Sequence, residues 1–177
     1  NGQGLNLSVH NNAELTVNPS NSLTITNWIN INSGGNLRLE DSASLLQINN
    51  NTNSGNMEML RNVNAKLYDY IYWSSPVSNY AVTNIAGSYR YKWAPTLVSN
   101  YASNYGNWIS TNENMLIGKG YIVRTPNTFS TTPQLFTATF NGTPNNGIIN
   151  TPISRSTYDG ANYTGPTTTP VTKDDDN

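Results

Sequence analysis

Across residues 1–60, short triplets recur in which two apolar residues flank a polar one. They read Leu5-Asn6-Leu7, Leu15-Thr16-Val17, Leu23-Thr24-Ile25, Ile29-Asn30-Ile31, Leu37-Arg38-Leu39, Leu46-Gln47-Ile48 and Met57-Glu58-Met59. A period of two puts both apolar members on one face of an extended strand. Successive triplets begin 6 to 11 residues apart, with turn formers such as Asn18-Pro19-Ser20-Asn21 and Ser33-Gly34-Gly35-Asn36 between them. That is the spacing of short strands joined by tight turns. Two arrangements fit. In a β-solenoid every triplet faces inward and stacks on one a coil away, whereas in a meander or sandwich neighbouring triplets pair antiparallel. The uniform, very short triplets favour the solenoid. It would bury Leu15, Leu23, Ile29, Leu37 and Leu46, expose Thr16, Arg38 and Gln47, and leave an edge open for further coils or a partner.

The pattern changes after residue 60. Twelve of the fifteen Tyr and Trp residues fall between Tyr68 and Tyr121. Tyr68-Asp69-Tyr70-Ile71-Tyr72-Trp73 alternates into a Pro-marked turn, and Tyr89-Arg90-Tyr91-Lys92-Trp93 alternates aromatics with cations. Gly118 to Arg124 and Gln134 to Phe140 complete the strands, followed by a turn at Asn145-Asn146-Gly147 and a short return at Ile148-Ile149-Asn150. Residues 100–110 read as a long Asn- and Tyr-rich loop. The expected fold is all-β, with a solenoid-like stack over 1–60, an aromatic-rich β cap over 61–154 and a loop or tail over 155–177.

Composition narrows the chemistry. Charged residues make up only 11% of the chain, while 31 Asn, 21 Thr and 17 Ser supply its polarity. With a formal net charge of −1, there is no basic field to draw nucleic acid. No apolar run reaches the roughly 18–20 residues of a spanning helix, so no membrane insertion is expected. Cys is absent and His10, in an Asn-rich turn, is the single histidine, which argues against thiolate, His-ligated and Ser–His chemistry. Asp69, Glu113 and Asp159 are the acidic candidates for a glycosidase pair, but their spacing nominates no pair. The expectation is a protein without catalytic residues and without a cofactor, calcium excepted.

Aromatic side chains are the remaining candidates. Trp93, Tyr101, Tyr105 and Trp108 lie on or beside the Asn-rich loop and offer flat faces with polar tips, suited to a polysaccharide. Tyr70, Tyr72 and Trp73 read instead as core or cross-strand pairs. The acidic tail Asp174-Asp175-Asp176 is the only run with oxygen ligands for calcium, without EF-hand spacing.

Three motifs carry a resemblance: Asp69-Tyr70-Ile71-Tyr72-Trp73-Ser74-Ser75-Pro76-Val77, Gly118-Lys119-Gly120-Tyr121-Ile122-Val123-Arg124, and Phe140-Asn141-Gly142-Thr143-Pro144-Asn145-Asn146-Gly147. In this order they resemble segments of large secreted Bacteroidetes proteins, cargo of the type IX secretion system that includes gliding-associated surface adhesins. The resemblance covers roughly residues 37–150. It implies a secreted or cell-surface location, partners among cell-surface or secretion-machinery proteins, and a piece of a longer chain, since the Gly-Asn-Pro-Tyr-Pro-Ser strand of similar proteins does not follow. It also implies that Asp41-Ser42-Ala43 is similar to the O-glycosylation sites of such exports, with Ser42 as acceptor. The function expected is a non-catalytic adhesin-like module, a stalk bearing a surface that contacts glycan or another surface. The alternatives are a glycan-binding accessory module of a polysaccharide-degrading enzyme and a purely structural spacer.

Overall fold

A computed structural model describes residues 1–95 and 106–151. The chain is all-β. Thirteen strands form four sheets, none closed into a barrel, and the one helical element among the described residues is a 3-10 turn at Val82–Asn84. The first seven strands are short: β1 (Gly2–Gly4), β2 (Leu7–Val9), β3 (Glu14–Val17), β4 (Ser22–Ile25), β5 (Ile29–Ile31), β6 (Asn36–Leu39) and β7 (Ser44–Gln47). They are followed by β8 (Met57–Ala65), β9 (Tyr70–Trp73), β10 (Arg90–Ala94), β11 (Asn107–Ser110), β12 (Tyr121–Arg124) and β13 (Gln134–Gly142).

Among β1 to β8 every pairing is parallel, and no strand pairs with its neighbour in sequence. β1, β4 and β7 form one sheet, β2 and β5 a second, and β3, β6 and β8 a third. Leu7 lies beside Ile29, Leu23 beside Leu45 and Leu37 beside Met57, offsets of 22, 22 and 20 residues. The corners keep the same rhythm. Left-handed residues recur at Asn12, Gly34 and Gly55 and again at Ser20 and Ser42. Gly55 is obligatory at its corner: with φ +77°, a Cβ there would stand 1.8 Å from the Ile31 carbonyl oxygen.

Within the stack Val9, Val17, Ile25, Ile29, Leu37, Leu39, Met57 and Met59 are buried, and Leu15, Leu23 and Leu45 pack against them. On the outer face Thr16, Arg38 and Glu58 lie side by side, and Arg38 pairs with both Glu40 and Glu58. Two triplets are out of phase with expectation. Leu46 is exposed and Gln47 turns inward, because the Leu23–Leu45 pairing fixes the register of β7 and a one-residue step swaps faces. Likewise Leu5 is exposed and the first inward pair of that coil is Leu7 and Val9.

The inward Gln47 is satisfied by a side-chain amide. Gln47 and Asn53 donate reciprocally, Nε2 to Oδ1 at 2.8 Å and Nδ2 to Oε1 at 2.6 Å. Buried Asn53 also accepts the Ile29 N–H at 2.9 Å and donates to the Pro144 carbonyl at 3.0 Å. It thus supplies the acceptor for the Ile29 N–H, next to Ser54, whose backbone makes a single parallel bridge to Asn30 of β5.

The expected boundary at residue 60 falls inside β8. This strand is parallel to β6 on one side and antiparallel to β13 on the other, over nine residue pairs from Met57–Gly142 to Ala65–Gln134. Phe136 and Phe140 of β13 meet Trp73 at ring separations of 6.1 and 6.0 Å. One continuous apolar core therefore runs from Val9 to Phe140. Residues 148–150, expected as a return strand, form none.

Leu37→Ala is expected to cost ~2–5 kcal/mol and Leu46→Ala less than ~0.5 kcal/mol. Gln47→Leu, which strands the buried Asn53 amide, should cost ~1–3 kcal/mol. Urea midpoints of the three variants test the ranking; equal losses at Leu37 and Leu46 would contradict this register.

Candidate functional site

The strand Arg90–Ala94 joins a four-stranded antiparallel sheet of order β11-β10-β12-β9. Cross-strand partners share a face. The register therefore puts Tyr72, Ile122, Tyr91 and Ser110 in one row, Tyr70 and Arg124 in the next, and Trp93 beside Trp108. Trp73, Tyr121, Val123 and Lys92 belong to the opposite face. Ordinary patterning would bury the aromatics and expose the cations. Here the reverse holds. Tyr72 is 71% exposed, Tyr70 43%, Trp93 39% and Trp108 36%, while Tyr121 and Val123 are sealed.

The inward cations explain how this orientation is held. Arg90 donates through Nε to the Val82 carbonyl at 3.2 Å and through Nη2 to the Ile85 carbonyl at 2.9 Å, gripping both ends of the 3-10 turn. Lys92 pairs with Glu113, whose other carboxylate oxygen accepts the Tyr121 hydroxyl at 2.8 Å. The Tyr121 oxygen in turn accepts the Leu116 N–H at 3.0 Å. Hydrogen bonds to charged groups contribute about 1.5–3 kcal/mol each, enough to set the register against the ~1.5–3 kcal/mol forgone per exposed large side chain. Burial pushes Glu113 up, but the hydrogen bonds from Lys92 and Tyr121 and the Lys92 charge outweigh it, and its carboxyl ends below the usual range. Burial, chiefly, pushes the Tyr121 phenol up to about 12.

On the outer face the rings make two groups, with Ile122 between Tyr72 of the first and Tyr91 of the second. Trp93 and Trp108 meet edge to face with centroids 5.2 Å apart, Tyr72 meets Trp108 at 6.2 Å, and Tyr70 lies 6.1 Å from Tyr91. Two glycines shape the face. Gly106, at φ +64°, lies under Trp93, where a Cβ would come within 2.5 Å of the indole Cζ2. Gly120 continues the alternation of Ile122 and Arg124, and a Cβ on it would meet nothing within 4 Å. It leaves a bare stretch of backbone on the aromatic face. At the far end of the face Arg124 stands 4.1 Å from the Tyr89 ring centre and 5.2 Å from that of Tyr68.

Trp93 and Trp108 therefore lie together, although Trp108 stands on strand β11 and not in a loop. Tyr101, Tyr105 and the acidic run Asp174-Asp175-Asp176 lie outside the described residues. Tyr70 and Tyr72, expected as core or cross-strand pairs, do pair across strands, with Arg124 and Ile122, but on the exposed face, and only Trp73 of that trio is buried. The strict alternation of Tyr70, Tyr72 and Tyr89, Tyr91, Trp93 was the signal that linked them. Ser42 is exposed at its corner with φ +65°, and its hydroxyl donates to the Asp41 carboxylate at 3.0 Å. Of the acidic candidates, Glu113 is held by Lys92 and Tyr121, Asp69 accepts the Lys66 N–H at 2.8 Å, and Asp159 lies outside the described residues. Among the described residues no group of three or more His, Asp or Glu is placed to hold a metal ion, and no helix is long and apolar enough to cross a membrane. A recess of about 300 Å³ beside Leu15, Val17 and Leu23 lies in the parallel stack, and no carboxylate or imidazole lines it.

A carboxyl group depressed by folding contributes stability above its unfolded value, and that contribution is lost as pH falls through the folded value. Stability is accordingly expected to decline as pH drops below the ordinary carboxyl value of 4.5. Glu113→Gln should be less stable than the parent at neutral pH and decline less steeply in acid, as read from thermal midpoints between pH 7 and 3.

The whole chain, residues 1–177, matches the model of a domain of unknown function, DUF8693, and the chain belongs to that family. No curated protein and no solved structure matches it.

Proposed function

As a member of a family whose description names no activity, this chain has to be understood from its own surface, and we propose that it is a non-catalytic glycan-binding module. The observation that supports this most is the outward array of Tyr70, Tyr72, Tyr91, Trp93 and Trp108, held in place by cations turned inward. An exposed aromatic patch on a soluble sheet is a recognition surface more often than an accident. Rings with apolar faces and polar tips suit a ligand that is itself apolar on its C–H faces and polar at its edges, which describes a sugar chain. The bare backbone at Gly120 offers such a chain close approach and additional carbonyl and amide groups.

The module works outside the cell as part of an adhesin-like surface protein, the parallel stack serving as a stalk. The resemblance of its motifs to type IX secretion cargo and its Asn-, Thr- and Ser-rich composition support this setting. Partners in secretion belong to the same reading. The second reading, an accessory module beside a catalytic domain, uses the same face, and the parent protein's remaining domains distinguish it.

A panel of soluble polysaccharides, followed by titration of the best binder, tests the proposal. Trp108→Ala is expected to weaken binding by about 3- to 10-fold, corresponding to the ~0.5–1.5 kcal/mol of a specific aromatic contact, and Tyr72→Ala by a similar factor. Leu135→Ala, exposed on β13 of a different sheet, should leave affinity unchanged. A blank panel, or equal loss at Leu135, would leave the module a structural spacer.

A further inference from the structure

Among the described residues of this sheet's strands, Arg124 is the cation that the register places on the aromatic face, since Arg90 and Lys92 point the other way. Its guanidinium lies between Tyr89 and Tyr68, with ring centres 4.1 and 5.2 Å away. Nη2 donates to the Asn127 side-chain oxygen at 2.8 Å, and Nε is buried with no hydrogen-bond partner. Among the described residues no carboxylate forms an ion pair with it, whereas Arg38 has two such partners and Lys92 one. Its two ring contacts and its bond to the Asn127 amide bring it no counter-charge among the described residues. Guanidinium is also the side chain whose fork of donors matches a planar oxyanion. The surroundings stay neutral. Burial, chiefly, and the neighbouring Tyr70 raise the Tyr91 phenol above its ordinary value.

We propose that the face takes an acidic polysaccharide: sugar rings pack on Tyr72, Trp93 and Trp108 around the bare Gly120 backbone, and a ring carboxylate docks on Arg124. At about 3.3 Å per residue, Arg124 lies about 13 Å along the strand from Gly120, so one extended chain reaches both. This rests on the glycan-binding reading above and adds its charge. The protein's net charge of −1 supplies no bulk attraction for a polyanion, so any preference for acidic chains has to come from a local group.

Polygalacturonate and its fully methyl-esterified form share one backbone and differ in charge, which makes them the probes. Titrated at 150 mM salt, the parent is expected to bind the acid form at least tenfold tighter than the ester. Arg124→Gln should bring the acid form down to the ester's affinity, and Arg124→Lys should retain an intermediate preference. Thermal midpoints establish that each variant is folded. Should Arg124→Gln not fold, Asn127→Ala replaces it, with a reduced acid-over-ester ratio expected. Trp108→Ala should weaken both forms together. Equal affinity for the two forms, or a preference unchanged in Arg124→Gln, overturns the acidic-ligand proposal while leaving the glycan face intact. Binding of poly-glutamate as tight as that of polygalacturonate also overturns it, since the site would then recognise charge alone. Failure of both polysaccharides to bind, with the wider panel blank, overturns the two readings together.

Discussion

The antiparallel ladder between β8 and β13 is the interaction on which the rest of the molecule depends. Its two strands are 69 positions apart at their nearest pair, Ala65 with Gln134, so the entire aromatic sheet is enclosed between them in sequence. β8 is also the last strand of the parallel stack. Removing the ladder would therefore separate two things at once: the end of the stack would lose its cover, and Trp73 would lose Phe136 and Phe140. The apolar core is continuous because this one pair of strands belongs to both halves.

Held against that ladder, the aromatic sheet has only one side available for packing, and the question is which residues occupy it. Hydrophobicity alone would choose the rings of β10. Two polar anchors decide otherwise, the carbonyls around the 3-10 turn for Arg90 and the Glu113 carboxylate for Lys92. The first anchor lies five to eight residues before Arg90 and the second 21 residues after Lys92. The arrangement resembles a functional surface in that stability is given up at the rings and recovered in charged hydrogen bonds underneath.

Much of this was visible in the sequence, and the exceptions share a cause. Period-two alternation identified the stack triplets, the aromatic strands and β13, and composition fixed the all-β class. Alternation defines two faces, though, and does not say which one is inside. For Leu45-Leu46 the answer came from Leu23 in the coil before, and for Tyr89 to Trp93 it came from Val82, Ile85 and Glu113. Asn107–Ser110 looked like loop because Asn and Ser dominate it, and only pairing with β10 makes it a strand. Trp93 and Trp108 were legible as candidates; alternation also sets Tyr70 and Tyr72 on the face opposite Trp73, but does not say which of the two faces is buried.

The return of the chain to the same sheet every 20 to 22 residues has a consequence for length. Each circuit advances the stack by one interstrand spacing, about 4.8 Å. Insertion or loss of a single residue shifts a register and turns a Leu to solvent, as the phase of Leu46 illustrates. Gain or loss of a whole circuit preserves every inward position and leaves the aromatic sheet untouched. The stack is therefore graduated in whole circuits, and its length can change in steps of that size without a change of register.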